Sequence, residues 1–345
     1  MSDGSSADSS TSTSSTEKAP EALPSFEAIL ASHRAADDAK AARRPAAWRF
    51  FRETLGQPKF FLAPMVDCSV LPFRLLCKRH GTDLGVSPMI HAFAMAVPLP
   101  FSRAHTHKHK HRAIYVRDAT FRKKAFQSCA EDRPSIAQLA GRDADAMVQA
   151  ARMLEDAGEC VAVDVNLGCP QRVAKKGAYG AYLADDPRLV EEIVGRMCRE
   201  CRGPVTCKMR VTDSIADSIA FAQMLERCGC AMITVHGRTK SQISVKDAPV
   251  NWAAIASIVF VVPLSFLPPC KHCPHNTHTH HSEAVDVPVV ANGGIRSLDD
   301  AKRCLIETKA QAVMAGSLLF LFHLSHTSLV LNSPSPLSLA HTQTR

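Results

Sequence analysis

Val161-Ala162-Val163-Asp164-Val165-Asn166-Leu167-Gly168-Cys169-Pro170-Gln171 joins a short apolar run to a polar, glycine-bearing turn. The run reads as a buried strand, and in parallel sheets chemistry is placed at the carboxyl ends of the strands. Cys169 is therefore the first candidate catalytic residue, set against the plainer reading of a packed thiol.

Working outward, short apolar runs alternate with helical periodicity between residues 60 and 320. Phe60 to Pro64 precedes a helix over Leu71 to Arg79, and Ser135 to Leu139 precedes a helix over Asp145 to Ala157. The Cys169 strand precedes a helix from Pro187 to Cys198, with proline near its start. Val205 to Met209, a helix over Ile215 to Arg227, Ala231 to Val235, Val287 to Ala291, a helix near Leu298 to Leu305, and Ala312 to Met314 follow. This rhythm predicts an α/β fold with a parallel sheet. A (β/α)8 barrel is preferred over a doubly wound sheet, because polar, glycine-flanked residues recur after nearly every strand and can converge on one mouth.

Composition permits an enzyme of this size without naming one. With 345 residues, 46% of them hydrophobic, the chain can bury one barrel-sized core or two smaller domains. The 41 Lys and Arg against 33 Asp and Glu give a net charge of +8, which favours an anionic partner such as RNA but also suits an ordinary protein. Thirteen irregularly spaced cysteines and no secretory leader point to a reducing compartment. Residues 1–20 are Ser/Thr-rich with Asp3 and Asp8 but no arginine, the pattern of a disordered tail and not of a matrix-targeting peptide. The apolar run from Val259 is broken at Pro263, Pro268 and Pro269, so no membrane span is expected.

The mouth has the makings of an anion and flavin site. Asn292-Gly293-Gly294 lets backbone N–H groups approach a phosphate, with the following helix start adding a favourable dipole. Gly316, in Ala315-Gly316-Ser317, offers a second phosphate loop. Lys208 leaves its strand in an apolar setting, where a cation can oppose negative charge on an isoalloxazine ring, and Gln138 can bond the ring's polar edge. A surface role for Lys208 is the alternative.

These segments together resemble the tRNA-dihydrouridine synthases, of the eukaryotic type that modifies the D loop. Ala63-Pro64-Met65-Val66-Asp67 with Phe73-Arg74, Pro88-Met89-Ile90-His91-Ala92, Glu131-Asp132-Arg133-Pro134 with Gln138, and Asp164 to Gln171 match in order. Gly177 to Leu183, Lys208-Met209-Arg210, Thr234 to Lys240 and Ala291 to Ile295 continue the series over residues 58–319. The resemblance implies an FMN-binding TIM barrel with NADPH as reductant and tRNA as substrate, in a cytoplasmic monomer to which nuclear access is open. It implies Cys169 as the acid that protonates carbon 5 of uracil while hydride reaches carbon 6, with Lys208 as its catalytic companion. Pro64, Met65, Gln138, Lys208, His236, Asn292, Gly293, Gly294 and Gly316 are the implied cofactor contacts. Asn166, Arg172, Tyr179 and Arg238 are the substrate candidates, with Tyr179 stacking and Arg172 attracting phosphate; Asn166 as a turn cap, and His236 and Arg238 as loop-orienting groups, are the structural alternatives.

Two stretches depart from the family pattern, near residues 96–113 and 259–284, and read as insertions. The second holds Cys270, His272, Cys273, His275, His278, His280 and His281, ligand types that suit zinc but lack a strand or helix to present them, so no metal site is expected. The expected organisation is a disordered tail and N-terminal extension over 1–57, the catalytic barrel over 58–320 with an incomplete last βα unit, and an irregular tail over 321–345. A helical tRNA-binding domain is expected to be absent, and whether a protein partner compensates stays open. A catalytically inactive FMN- or RNA-binding remnant and a small-molecule flavin oxidoreductase are the competing functions.

Overall fold

Short runs of β-branched and apolar residues separated by capped helices leave the chain one economical way to bury both faces of its strands, a parallel sheet covered by helices. The computed structural model describes residues 22–96, 126–243, 249–260 and 285–316. Its strands are β1 (Phe60–Leu62), β2 (Leu84–Val86), β3 (Ile90–His91), β4 (Ser135–Ala140), β5 (Ala162–Leu167), β6 (Val205–Arg210), β7 (Met232–His236), β8 (Val289–Asn292) and β9 (Ala312–Ala315). All pairings are parallel, and β1 bonds both β2 and β9 while β2 bonds β4, which closes an eight-stranded ring. The two-residue β3 pairs with the end of β4 outside that ring.

Helices wrap the ring: α3 (Leu71–Arg79), the short α4 (Ala92–Ala96), α5 (Ala144–Ala157), α7 (Pro187–Glu200), α8 (Ile215–Arg227), α9 (Trp252–Val259) and α10 (Leu298–Thr308). Their starts are set locally. Asp143, Asp186, Ser214, Asn251 and Ser297 each accept a hydrogen bond from a first-turn N–H, and Pro187 occupies the first turn of α7.

Strand alternation sorts the core into two layers. Phe61, Leu84, Ile136, Met232, Val290 and Ala312 fill the lower interior of the barrel. Val163, Val165, Cys207, Ile233, Val235 and Ala291 face outward into the larger cluster shared with the helices. One level above the apolar filling, the cross-strand partners Gln138, Asp164 and Thr206 put polar groups inside the ring.

Residues 22–57, expected as part of a disordered tail and extension, carry helices: α1 (Phe26–Arg43), α2 (Pro45–Arg49) and a π-turn over Phe50–Thr54. The inward face of α1 is Phe26, Ile29, His33, Asp37 and Lys40, so helical spacing is present but apolar periodicity is not. The helix is held partly by apolar packing of Phe26, Ile29 and Leu30 against the core and partly by polar bonds to distant groups. Gln311 Nε2 donates to Asp37 at 2.9 Å, Lys40 donates to the Val259 carbonyl, and Phe26 meets Phe60 edge-on at 5.0 Å. Arg43 grips Asp286 through two bonds of 2.7 and 2.6 Å.

A buried ion pair ties α3 to the approach of β4. Arg74, 1% exposed, bonds Asp132, 0% exposed, through Nη2 at 2.7 Å and donates to the Ser69 and Gln127 carbonyls at 2.8 and 2.5 Å. Gly85 makes the room, since a Cβ there would come within 2.7 Å of Arg74 Cδ.

The expected insertion near 96–113 and that over 259–284 lie outside the described residues apart from their edges, as do the Cys270 to His281 cluster, the tail 1–20 and everything after Gly316. Among the described residues, no helix is long and apolar enough to cross a membrane, and no group of three His, Cys, Asp or Glu is arranged to hold a metal ion.

Candidate functional site

The carboxyl ends of the strands open into a cavity of about 990 Å³. Pro64 and Met65 after β1, Gln138 on β4, Asn166 and Cys169 at the end of β5, and Lys208 on β6 line it. His236 and Arg238 at the end of β7, Asn292, Gly293 and Gly294 after β8, and Gly316 after β9 complete the wall. Side chains two residues apart on a strand share a face, so Asp164 with Asn166, and Lys208 with Arg210, rise in successive levels toward the mouth.

The Cys169 turn is clamped from every side. Asn166 Oδ1 accepts from the N–H of Gly168 at 3.1 Å and of Cys169 at 3.0 Å. Arg210 Nε donates to the Gly168 carbonyl at 2.7 Å, Ala181 N–H to the Cys169 carbonyl at 3.0 Å, and the Tyr182 hydroxyl to the Pro170 carbonyl at 3.0 Å. Gly180, at φ 64°, presses so close that a Cβ there would lie 2.7 Å from the Cys169 carbonyl. The thiol is left half-buried at the cavity wall with its backbone immobilised.

Lys208 Nζ donates to Asn292 Oδ1 at 2.9 Å, and Asn292 donates in turn to the Met314 carbonyl at 2.8 Å, so three strands fix the ammonium. Burial, and then Arg210, bring Lys208 down to about 8, while Asp164 and Cys169 pull the other way; the lysine stays largely protonated at neutral pH. His236 is driven down to about 2 by burial and by Lys208, Arg210 and Arg238, so its imidazole is neutral. Its Nε2 is buried without a hydrogen-bond partner, an expensive state for a polar atom facing a cavity.

Opposite His236 lies a cradle of bare backbone. Gly293 and Gly294 have φ of 103° and 75°, and a Cβ on Gly293 would come within 2.6 Å of the imidazole. The start of α10 lies at the same end of the cavity. Ser297 Oγ accepts from the first-turn N–H of Asp300 at 3.1 Å, and the Asp300 carboxylate accepts from the N–H of Arg296, ahead of the helix, at 3.0 Å and pairs with Arg296 and Arg303. Two guanidinium groups, both paired with Asp300, therefore line that end of the cavity. These groups escaped the sequence reading, although Ser297-Leu298-Asp299-Asp300 has the spacing of a capping box. An orphaned imidazole nitrogen, a buried ammonium, a glycine cradle and two arginines fit a heterocycle with a phosphate tail such as FMN.

Two substrate candidates fall elsewhere. Arg172 opens the short helix α6 (Arg172–Gly177), is exposed and does not line the cavity. Tyr179, expected to stack on a nucleotide, has its ring 5% exposed, over Gly177 and edge-on to His91 at 5.2 Å. With its apolar faces already covered, the ring braces the wall behind the Cys169 turn.

A family model described as "Dihydrouridine synthase (Dus)" matches residues 61–267 and 281–319, and the break between the two matches falls inside the expected insertion 259–284. The chain is 37% identical over 270 residues to the rat protein named tRNA-dihydrouridine(16/17) synthase NAD(P)(+)-like, covering 78% of this chain and 51% of that protein. It is 34% identical over 274 residues to a tRNA-dihydrouridine(16/17) synthase of Schizosaccharomyces pombe, covering 78% of this chain and 58% of that one. With a probable tRNA-dihydrouridine synthase of Rhodobacter capsulatus the identity is 32% over 265 residues, covering 75% and 67% respectively. The chain spans about half the length of the rat and fission yeast relatives.

Proposed function

The chain belongs to the dihydrouridine synthase family, and from that premise we propose that it reduces uridine to 5,6-dihydrouridine in the D loop of tRNA, with FMN as redox group and NADPH as reductant. Positions 16 and 17 are the targets that the names of the rat and fission yeast relatives suggest. The observation that carries this reading is the convergence of the Cys169 thiol, the Lys208 ammonium and the unpartnered His236 Nε2 on one cavity at the carboxyl ends of the strands.

FMN, when bound, supplies the hydride that reaches carbon 6 of the uracil. Everything else falls to the chain's own residues. Cys169 gives its proton to carbon 5, and the clamped turn holds Sγ in place for that transfer. Lys208 places positive charge where negative charge accumulates, and Gln138 and Asn166 offer amide edges to the polar rims of cofactor and base. His236 Nε2 would find its missing partner on the cofactor, the Gly293-Gly294 cradle and Gly316 would hold its phosphate with Arg296 and Arg303 beside them, and Pro64 and Met65 would hold its ring. Arg238, with the exposed Arg172 farther out, serves the tRNA phosphates, in keeping with the chain's +8 charge. Free thiols among the described residues suit a reducing compartment, the cytoplasm with access to the nucleus.

The test is dihydrouridine formation in unmodified tRNA by the FMN-loaded chain with NADPH. Product establishes the enzyme; no product from a folded, FMN-loaded chain assigns it to cofactor or RNA binding alone. Independently, Gly293→Ala is expected to cost about 1–3 kcal/mol, because alanine is strained at positive φ and its methyl meets His236. FMN retention after gel filtration should fall with it, and unchanged retention would remove the cradle from the cofactor site.

A further inference from the structure

We propose that Asp164, which does not line the cavity, is a positioning residue whose carboxylate orders the amides of Gln138 and Asn166 into a one-way hydrogen-bond relay ending on the Cys169 backbone. This deepens the reading of Cys169 as the acid and rests on it.

Among the described residues Asp164 is the only acidic residue in any strand, and it is 4% exposed inside the barrel. A buried carboxylate is costly, so its retention there calls for a reason. Asp164 Oδ1 accepts from the Thr206 hydroxyl at 2.7 Å, and Oδ2 accepts from Gln138 Nε2 at 2.8 Å. A carboxylate only accepts, so Gln138 must turn its NH₂ downward and its Oε1 upward. That Oε1 also only accepts, so Asn166 must offer Nδ2, which it does at 2.8 Å. Asn166 Oδ1 is then left facing the Gly168 and Cys169 N–H groups. Each amide donates toward the barrel centre and accepts toward the mouth, and both ends of the relay agree on that direction. The register makes this possible: Gln138 is the cross-strand partner of Asp164, Asp164 of Thr206, and Asn166 of Lys208.

Burial pushes Asp164 up to about 6, against the opposing pull of Gln138, Thr206 and Lys208, so it is mainly ionised at neutral pH. A carboxyl raised in the folded state weakens the fold as pH climbs from its ordinary 3.8 to about 6, and the cost persists above that. Asp164→Asn removes this cost, so the midpoint of thermal unfolding should hold or rise while positioning suffers. A residue retained only for stability would behave in the opposite way.

The experiment is peptide-resolved hydrogen exchange over residues 166–171 in the cofactor-free chain, alongside steady-state kinetics of the FMN-loaded chain. Asp164→Asn should speed exchange there by about tenfold and lower kcat by about tenfold, with KM for tRNA changed less than about threefold. Gln138→Met, which cuts the relay at its middle link and leaves the carboxylate, should speed the same exchange. Exchange within about twofold of the parent in both variants overturns the relay, as does a fall in unfolding midpoint with faster exchange throughout the barrel. A slower kcat with unchanged exchange also overturns it and assigns the effect to the charge Asp164 lends Lys208. Because the exchange measurement needs neither tRNA nor turnover, a parent chain that makes no dihydrouridine refutes the proposed function and leaves the relay to be judged separately.

Discussion

Cys169→Ala is expected to lower dihydrouridine formation by about 10²- to 10⁴-fold, the range for removing a positioned general acid, with FMN content and KM for tRNA nearly unchanged. The separation of effects rests on the way the turn is built. The backbone bonds of Gly168, Cys169 and Pro170 to Asn166, Arg210, Ala181 and Tyr182 do not involve Sγ. Alanine therefore keeps the loop and deletes only the proton donor. Single-turnover reduction of unmodified tRNA by flavin-loaded protein, prepared at equal occupancy, measures the step. Cys169→Ser should retain the loop as well, but its hydroxyl is a far weaker acid than a thiol, so it should also be slow. Equal rates in parent and alanine variant would strip Cys169 of the acid role.

The second large effect is on stability. Asp132→Ala should cost about 3–5 kcal/mol, because it leaves the Arg74 guanidinium buried with its charge uncompensated. Arg74 cannot retreat to solvent, since it is 1% exposed, packed on Gly85 and bonded to the Ser69 carbonyl. Urea unfolding monitored by circular dichroism reads the loss, and a value below about 1 kcal/mol would mean that the guanidinium finds water or another partner. Replacing both partners, as in Arg74→Met with Asp132→Leu, should recover part of the loss, because no unpaired charge remains. Function follows stability here. Ser69, whose carbonyl Arg74 holds, accepts through its hydroxyl from the Met65 N–H at 2.9 Å, and Met65 lines the cavity.

The strands and helices from Phe60 to Ala315 were legible because each announces itself within its own few residues. Apolar runs of strand length, helical spacing and capping residues are local signals, and where they were clear the predicted elements lie within a few residues of the observed ones. The short β2 was obscured, since Leu84-Gly85-Val86 is brief and carries a glycine that reads as a turn until Arg74 is seen to need the space. Helix α1 was invisible for a different reason: Asp37 and Lys40 on its inward face bond distant side chains and backbone, and with His33 they interrupt the apolar positions at Phe26 and Ile29.

The site divided along the same line. Cys169, Lys208, His236 and the Asn292-Gly293-Gly294 turn could be picked out because strand ends carry function in parallel barrels, and the motif order added the family. Tyr179 could not be placed, because a tyrosine after a glycine-rich turn reads the same whether its ring faces solvent or packs inward. Arg296, Asp300 and Arg303 sit in a helix start whose capping pattern is evident but whose nearness to the cavity is not.

By itself the sequence determined the parallel αβ rhythm, the polar strand ends and the membership of a family, since all three are written in runs of neighbouring residues. Only the tertiary structure decided how the ring closes, where α1 docks, which rings are buried and which way the amides of Gln138 and Asn166 point. Those outcomes depend on partners far apart in the chain, 58 residues for Arg74 with Asp132, 84 for Lys208 with Asn292 and 274 for Gln311 with Asp37. Hydrogen bonds and burial are settled by which groups meet in space, and a strand's own residues specify its face but not what waits across the barrel.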